Sequence, residues 1–146
     1  MNPFITLAAL EDNGAKHILE QINDCERSIA AYELELSEVQ EENWRTKETA
    51  DLLASQTEKK LELVKHLNEC FSLDYNVELH QSLAYYNQYL FVIKNCENED
   101  WRNAMWLSEE AADDLCVETK ALAEKLKESM IQKYEITSDQ LETAVQ

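Results

Sequence analysis

Glycine and proline are almost missing from this chain: each occurs once, at Gly14 and Pro3. Turn-dense β architectures draw on both residues, so a sheet or barrel framework is excluded. One glycine at position 14 cannot build a phosphate-cradling loop or a nucleophile elbow. Long apolar runs are missing too. No stretch approaches the roughly 18 consecutive apolar residues needed to cross a bilayer. The start, Met1-Asn2-Pro3-Phe4, has no basic segment followed by an apolar core, so no secretory leader is expected. Bases are scarce: 13 Lys and Arg stand against 30 Asp and Glu, a formal charge of −17. Direct binding to nucleic acid or to an anionic membrane is disfavoured, because both require a basic face.

Metal-binding patterns are equally thin. His66 and Cys70 share a helix face at i, i+4, which is half a zinc site. His17 and His80 offer no matching pair with a cysteine, so a closed four-ligand site is not expected. No Glu-x-x-His occurs, which removes a di-iron bundle site. An EF-hand loop is absent because it needs a central glycine among oxygen ligands. No cofactor is expected. The four cysteines (Cys25, Cys70, Cys96, Cys116) lack a C-x-x-C spacing. Free, buried thiols in a reducing cytoplasm fit them better than a disulfide framework.

The residues that are abundant are helix formers: Glu, Ala, Leu, Gln and Lys. The fold class is therefore all-α. Residues 15–71 carry one heptad register. The d-type positions are Ile18, Cys25, Tyr32, Val39, Thr46, Leu53, Lys60 and Leu67. The a-type positions are Ile22, Ile29, Leu36, Asn43, Ala50, Thr57, Val64 and Phe71. Twelve of the sixteen are apolar, against about seven by chance in a chain of this composition. Such a seam marks helices packed side by side. It weakens at Asn43, Thr46, Thr57 and Lys60. The weakness predicts either a coiled-coil hairpin bent near Asn43-Trp44 or a long antiparallel coiled-coil helix with a loose middle.

Charge favours the antiparallel sense. Residues 11–44 hold ten acids and two bases, a net of −8. Residues 45–66 hold four acids and five bases, a net of +1. Parallel self-pairing sets the acidic halves together, which is unfavourable.

The rest follows as a single helical unit over residues 1–146. Asn2-Pro3 is expected to open a short N-terminal helix that Gly14 closes, covering residues 1–14. Ser72 to Asn76 is a break rich in cap and turn residues. Two packed helices then fill residues 77–134, the first aromatic and weakly amphipathic, the second running from about Trp101. Its stripe is Trp101, Met105, Ala112, Leu115, Leu122, Leu126 and Met130. Thr137-x-x-Gln140 is a capping-box pattern that opens a tail helix over 137–146.

Two sets of residues are candidates for partner binding. The first is the seam: Ile22, Ile29, Tyr32, Leu36 and Val39. The second is acidic and aromatic: Trp44, Trp106, Glu109, Glu110, Asp113 and Asp114. Residues 97–118 hold eight acids against Arg102 alone. Paired carboxylates catalyse only in a concave site that separates their pKa values. On a helix face they are solvated charge or a docking surface. Trp44 lies off the seam, and aromatic anchors ringed by charge are what protein interfaces use.

The expected function is a non-enzymatic protein-interaction module: a subunit, adaptor or chaperone of a helical complex in the cytoplasm. The partner is protein, either a second copy in antiparallel sense or a helical, basic protein. The alternative is an acidic, phage-type inhibitor that imitates nucleic acid and blocks a DNA- or RNA-binding protein.

Overall fold

The computed structural model describes residues 2–37 and 43–145. Among them the chain is a helical bundle without strands. Six α-helices follow a 3-10 turn at Leu7–Ala9: α1 (Asn13–Ser37), α2 (Trp44–Phe71), α3 (Val77–Asn95), α4 (Glu99–Ala104), α5 (Glu109–Tyr134) and α6 (Ser138–Ala144). None is long and apolar enough to cross a membrane among the described residues. The chain forms two compact units, Met1–Ala84 and Tyr85–Gln146.

In the first unit α1 and α2 pack along each other as a helical hairpin. The weak middle of the seam is a helix start. Asn43 Oδ1 accepts from the backbone N–H of Arg45 at 2.9 Å and of Thr46 at 3.1 Å. Thr46 Oγ1 accepts the Asn43 N–H at 2.8 Å. This reciprocal box satisfies donors that a helix end otherwise leaves orphaned. The hairpin therefore replaces the single long helix. Val39, a seam position, lies outside the described residues.

The hairpin's base is the core. Ala15, Ile18, Leu19 and Ile22 of α1 meet Val64 and Leu67 of α2, with Tyr75 beside them. Ile5, Leu7 and Leu10 pack on this cluster from the N-terminal segment, and Leu73 and Val77 from the α2–α3 connection. That segment differs from the expected short helix. Asn2 Oδ1 does accept the Phe4 N–H at 3.0 Å, but only one 3-10 turn follows. Gly14 begins a helix rather than ending one. Asp12 Oδ1 accepts the N–H of Gly14 at 2.7 Å and of Ala15 at 3.1 Å, capping α1. A β-carbon on Gly14 would stand 3.3 Å from the Phe71 ring, so the residue is small because α2 ends against it.

The second unit also departs from expectation in one place. The helix expected over 101–134 is two helices. Asn98 Oδ1 accepts the Trp101 N–H at 3.0 Å and starts α4. After one short helix Trp106 takes a left-handed φ of 57°, and the Leu107 N–H returns to Arg102 O at 2.9 Å. Ser108 Oγ then accepts the Ala111 N–H at 3.1 Å and starts α5, with Glu109 and Glu110 in its first turn. A cap residue followed by acids competes with helix continuation, and here the cap wins. The buried stripe of α5 is Ala112, Thr119, Ala123 and Met130. Leu122, expected on that stripe, is exposed. Thr137 and Gln140 form the expected capping box of α6, which buries Leu141 and Ala144.

Candidate functional site

The seam residues divide along the hairpin. Ile22 and Ile29 are buried by the chain itself. Tyr32 and Leu36 are half-buried. A partner reaches Ile22 or Ile29 only by opening the hairpin, whereas Tyr32 and Leu36 keep accessible surface.

A buried polar cluster lies at the same level of the hairpin, and sequence reasoning missed it. Glu26 of α1 and Lys60 of α2 form an ion pair of 3.1 Å with side chains 5% and 3% exposed. Lys60 Nζ donates to Gln81 Oε1 at 2.9 Å and to Val77 O at 3.3 Å. Lys60 thus makes two hydrogen bonds and one ion pair. Tyr75 Oη donates to Glu26 Oε1 at 2.7 Å, and Gln81 Nε2 donates to the Glu26 carbonyl at 3.2 Å. Glu26 Oε2 accepts no hydrogen bond and is held by the ion pair with Lys60.

Electrostatics follow from burial. Desolvation pushes the Glu26 carboxyl up, and Lys60 and Tyr75 pull it back. Burial, then the Glu26 carboxylate, push the Tyr75 phenol far up, so it stays protonated and donating. The cluster satisfies its charges away from water and leaves no free nucleophile or base. Its chemistry is to pin α1, α2 and the start of α3 in one register. The available signal was Lys60 itself, a lysine at a d position.

His80 extends the cluster towards the N-terminal segment. Its ring stacks on Tyr75 with centroids 3.9 Å apart and meets the edge of Phe4 at 5.8 Å. The Ile5 N–H donates to Nε2 at 3.0 Å. That leaves the proton on Nδ1, which donates to Asn76 O at 2.8 Å. Burial foremost lowers the His80 pKa to about 4, so the ring is neutral at pH 7.

The acidic and aromatic candidates sit on the surface. Glu109, Glu110, Asp113 and Asp114 are all exposed. Trp106 is 94% exposed and Met105 55%. Trp101, four residues after the start of the acidic stretch, is half-buried. Trp44 is 75% exposed at the first position of α2. Glu110, Asp113, Asp114 and Val117 lie on one side of α5, opposite Ala112, Thr119, Ala123 and Met130. Val117 is 69% exposed there, so that side is mixed rather than uniformly charged.

Among the described residues no group of His, Cys, Asp and Glu is arranged to hold a metal ion. His66 Nδ1 and Cys70 Sγ are 3.3 Å apart, as their spacing implies. Cys70 is exposed rather than buried, while Cys25 and Cys96 are buried and Cys116 is intermediate. All four are free thiols.

The fold and the surface define an acidic helical-bundle protein with two exposed tryptophans, Trp44 and Trp106. The chain matches no protein-family model, no curated protein and no solved structure.

Proposed function

We propose that the chain is a non-enzymatic protein-interaction module, a subunit, adaptor or chaperone of a helical complex. It binds a basic, helical protein partner through exposed tryptophans set among carboxylates. Trp106 carries this reading. A side chain of that size at 94% exposure leaves a large apolar area in water. Its left-handed φ of 57° costs about 1–2 kcal/mol in a residue with a β-carbon. Acids flank it on both sides in the chain, from Glu97 to Asp100 and from Glu109 to Asp114. An aromatic anchor inside a charged rim suits a protein interface, where charge selects the partner and the anchor supplies affinity. Trp44 offers a second anchor at the start of α2. The four free thiols fit a reducing, cytoplasmic setting.

The nucleic-acid mimic is weaker on this surface, because a mimic needs carboxylates and has no use for bare indoles. A comparison of Trp106→Ala with wild type tests the reading. Partner retained by wild type from host extract is expected to fall about tenfold or more with the variant, with thermal stability unchanged. Equal retention overturns it. Competition with DNA for nucleic-acid-binding proteins, steeply salt-dependent and indifferent to Trp106, selects the mimic instead.

A further inference from the structure

The N-terminal segment is held in an unusual way. From Asn2 to Leu10 (Asn-Pro-Phe-Ile-Thr-Leu-Ala-Ala-Leu) it has no ionisable side chain. Its regular structure is one 3-10 turn. Phe4 is buried, and Ile5, Leu7 and Leu10 cover the hairpin's core cluster. The long-range polar contact of this segment is the Ile5 N–H on His80 Nε2, at 3.0 Å across 75 residues.

That contact works in one protonation state. Ile5 donates, so Nε2 must keep its lone pair. Nδ1 is committed to Asn76 O at 2.8 Å. A proton arriving on Nε2 sets an N–H against an N–H and converts the acceptor into a donor. Tyr75 stacks on the ring with centroids 3.9 Å apart and Phe4 meets it in a T-shaped contact at 5.8 Å, so both neighbours pack against the ring that the Ile5 amide uses.

We propose that residues 2–10 form a strap over the hairpin base that His80 releases when its Nε2 takes up a proton. The strap itself carries no titrating side chain, so its docking responds to acid only through what it touches. Lys60 of α2 adds its positive field at His80 and opposes the proton. Tyr75, from the α2–α3 connection, stays a neutral phenol. Glu26 of α1 lies beyond Tyr75 and Lys60 and titrates separately, with its carboxyl raised by burial. Release uncovers the part of the core cluster that Ile5, Leu7 and Leu10 pack against. The device is independent of which partner the acidic surface takes.

The docked ring's pKa of about 4 against the ordinary 6.5 limits the effect to a loss of about 300-fold in strap docking. Docking is complete above pH 6.5 and declines as pH falls towards 4. The test is amide hydrogen exchange on the full chain between pH 7 and pH 3, with the His80 ring followed by NMR. The Ile5 and Leu7 protection factors are expected to drop with the same midpoint as the ring, while Leu19 in α1 keeps its protection. His80→Gln places an amide oxygen near the Nε2 position and cannot titrate, so its strap is expected to stay protected throughout. Three results overturn the proposal. One is unchanged Ile5 protection in wild type. The second is simultaneous loss at Ile5 and Leu19, which is unfolding rather than release. The third is the same acid dependence in His80→Gln, which assigns it to Glu26. If His80→Gln fails to fold, the wild-type ring and amide midpoints still decide.

Discussion

The base of the hairpin and its far end share one heptad register and differ in what covers them. At the base, α1 buries Ala15, Ile18, Leu19, Ile22, Cys25, Glu26, Ile29 and Ala30. Opposite them α2 buries Lys60, Val64 and Leu67. Towards the bend, Thr49 is the buried residue of α2, and Leu52 and Trp44 are exposed. The repeat is also weaker at the far end, where Asn43, Thr46 and Thr57 stand on the seam against Lys60 alone at the base. The base has a third layer, from the N-terminal segment and from the α2–α3 connection. Burial of the seam therefore follows both the quality of its repeat and the layer added around its base.

The largest test of this contrast removes one charge. Lys60→Met leaves Glu26 buried without its cation, and is expected to cost about 3–5 kcal/mol in urea unfolding. Lys47→Met, exposed at the far end, is expected to fall within about 0.5 kcal/mol. The double variant Glu26→Met/Lys60→Met is expected to recover most of the loss, because a buried pair replaced by apolar groups is often neutral. Leu67→Ala at the base should cost about 2–5 kcal/mol. Leu52→Ala, already half in water, should cost much less. Equal losses at the two leucines would dissolve the distinction between the halves.

A pH series sharpens it further. The His80 pKa is lowered in the fold, so the unfolded chain binds more protons between pH 6.5 and about 4. Stability therefore rises with pH across that window and is fully present above it. Glu26 acts in the opposite sense: its raised carboxyl binds protons more readily in the fold than in the unfolded chain. The difference between wild type and His80→Gln isolates the histidine. It is expected to reach about 2 kcal/mol at pH 5 relative to pH 8, measured by chemical denaturation at each pH. Smaller effects follow at single hydrogen bonds. Tyr75→Phe removes the donor to Glu26 Oε1 and should cost about 1.5–3 kcal/mol. Asn43→Ala removes the α2 cap at the far end and should cost about 1 kcal/mol by thermal unfolding.

Much of this architecture was legible along the chain, and the reasons are local. Asn43 with Thr46 forms a cap through bonds spanning three residues, but along the chain the two show as weak seam positions, which left a bend near Trp44 and one long helix both open. Thr137 with Gln140, a box of the same span, was legible as the start of the tail helix. Local rules failed where two readings of one residue compete. Gly14 suits a helix end, yet Asp12 before it makes a better beginning. Trp101 to Tyr134 reads as one stripe, yet Ser108 and two acids start a new helix inside it. The candidate surface was half legible. Glu109, Glu110, Asp113 and Asp114 announce themselves by density, and their exposure follows from the cost of burying charge. The near-complete exposure of Trp106 does not follow from its type, because tryptophan is usually well covered.

By itself the sequence determined the helical class, the break after Phe71 and the start of the tail helix, since these depend on backbone freedom and on hydrogen bonds a few residues long. Tertiary structure decided the polar interior. Glu26 meets Lys60 across 34 positions of the sequence, and Ile5 meets His80 across 75. Whether a lysine on an apolar seam is a flaw or a partner depends on what stands opposite it. That is settled by packing, because a charge is tolerated in the interior only where an opposite charge and hydrogen-bond acceptors converge on it.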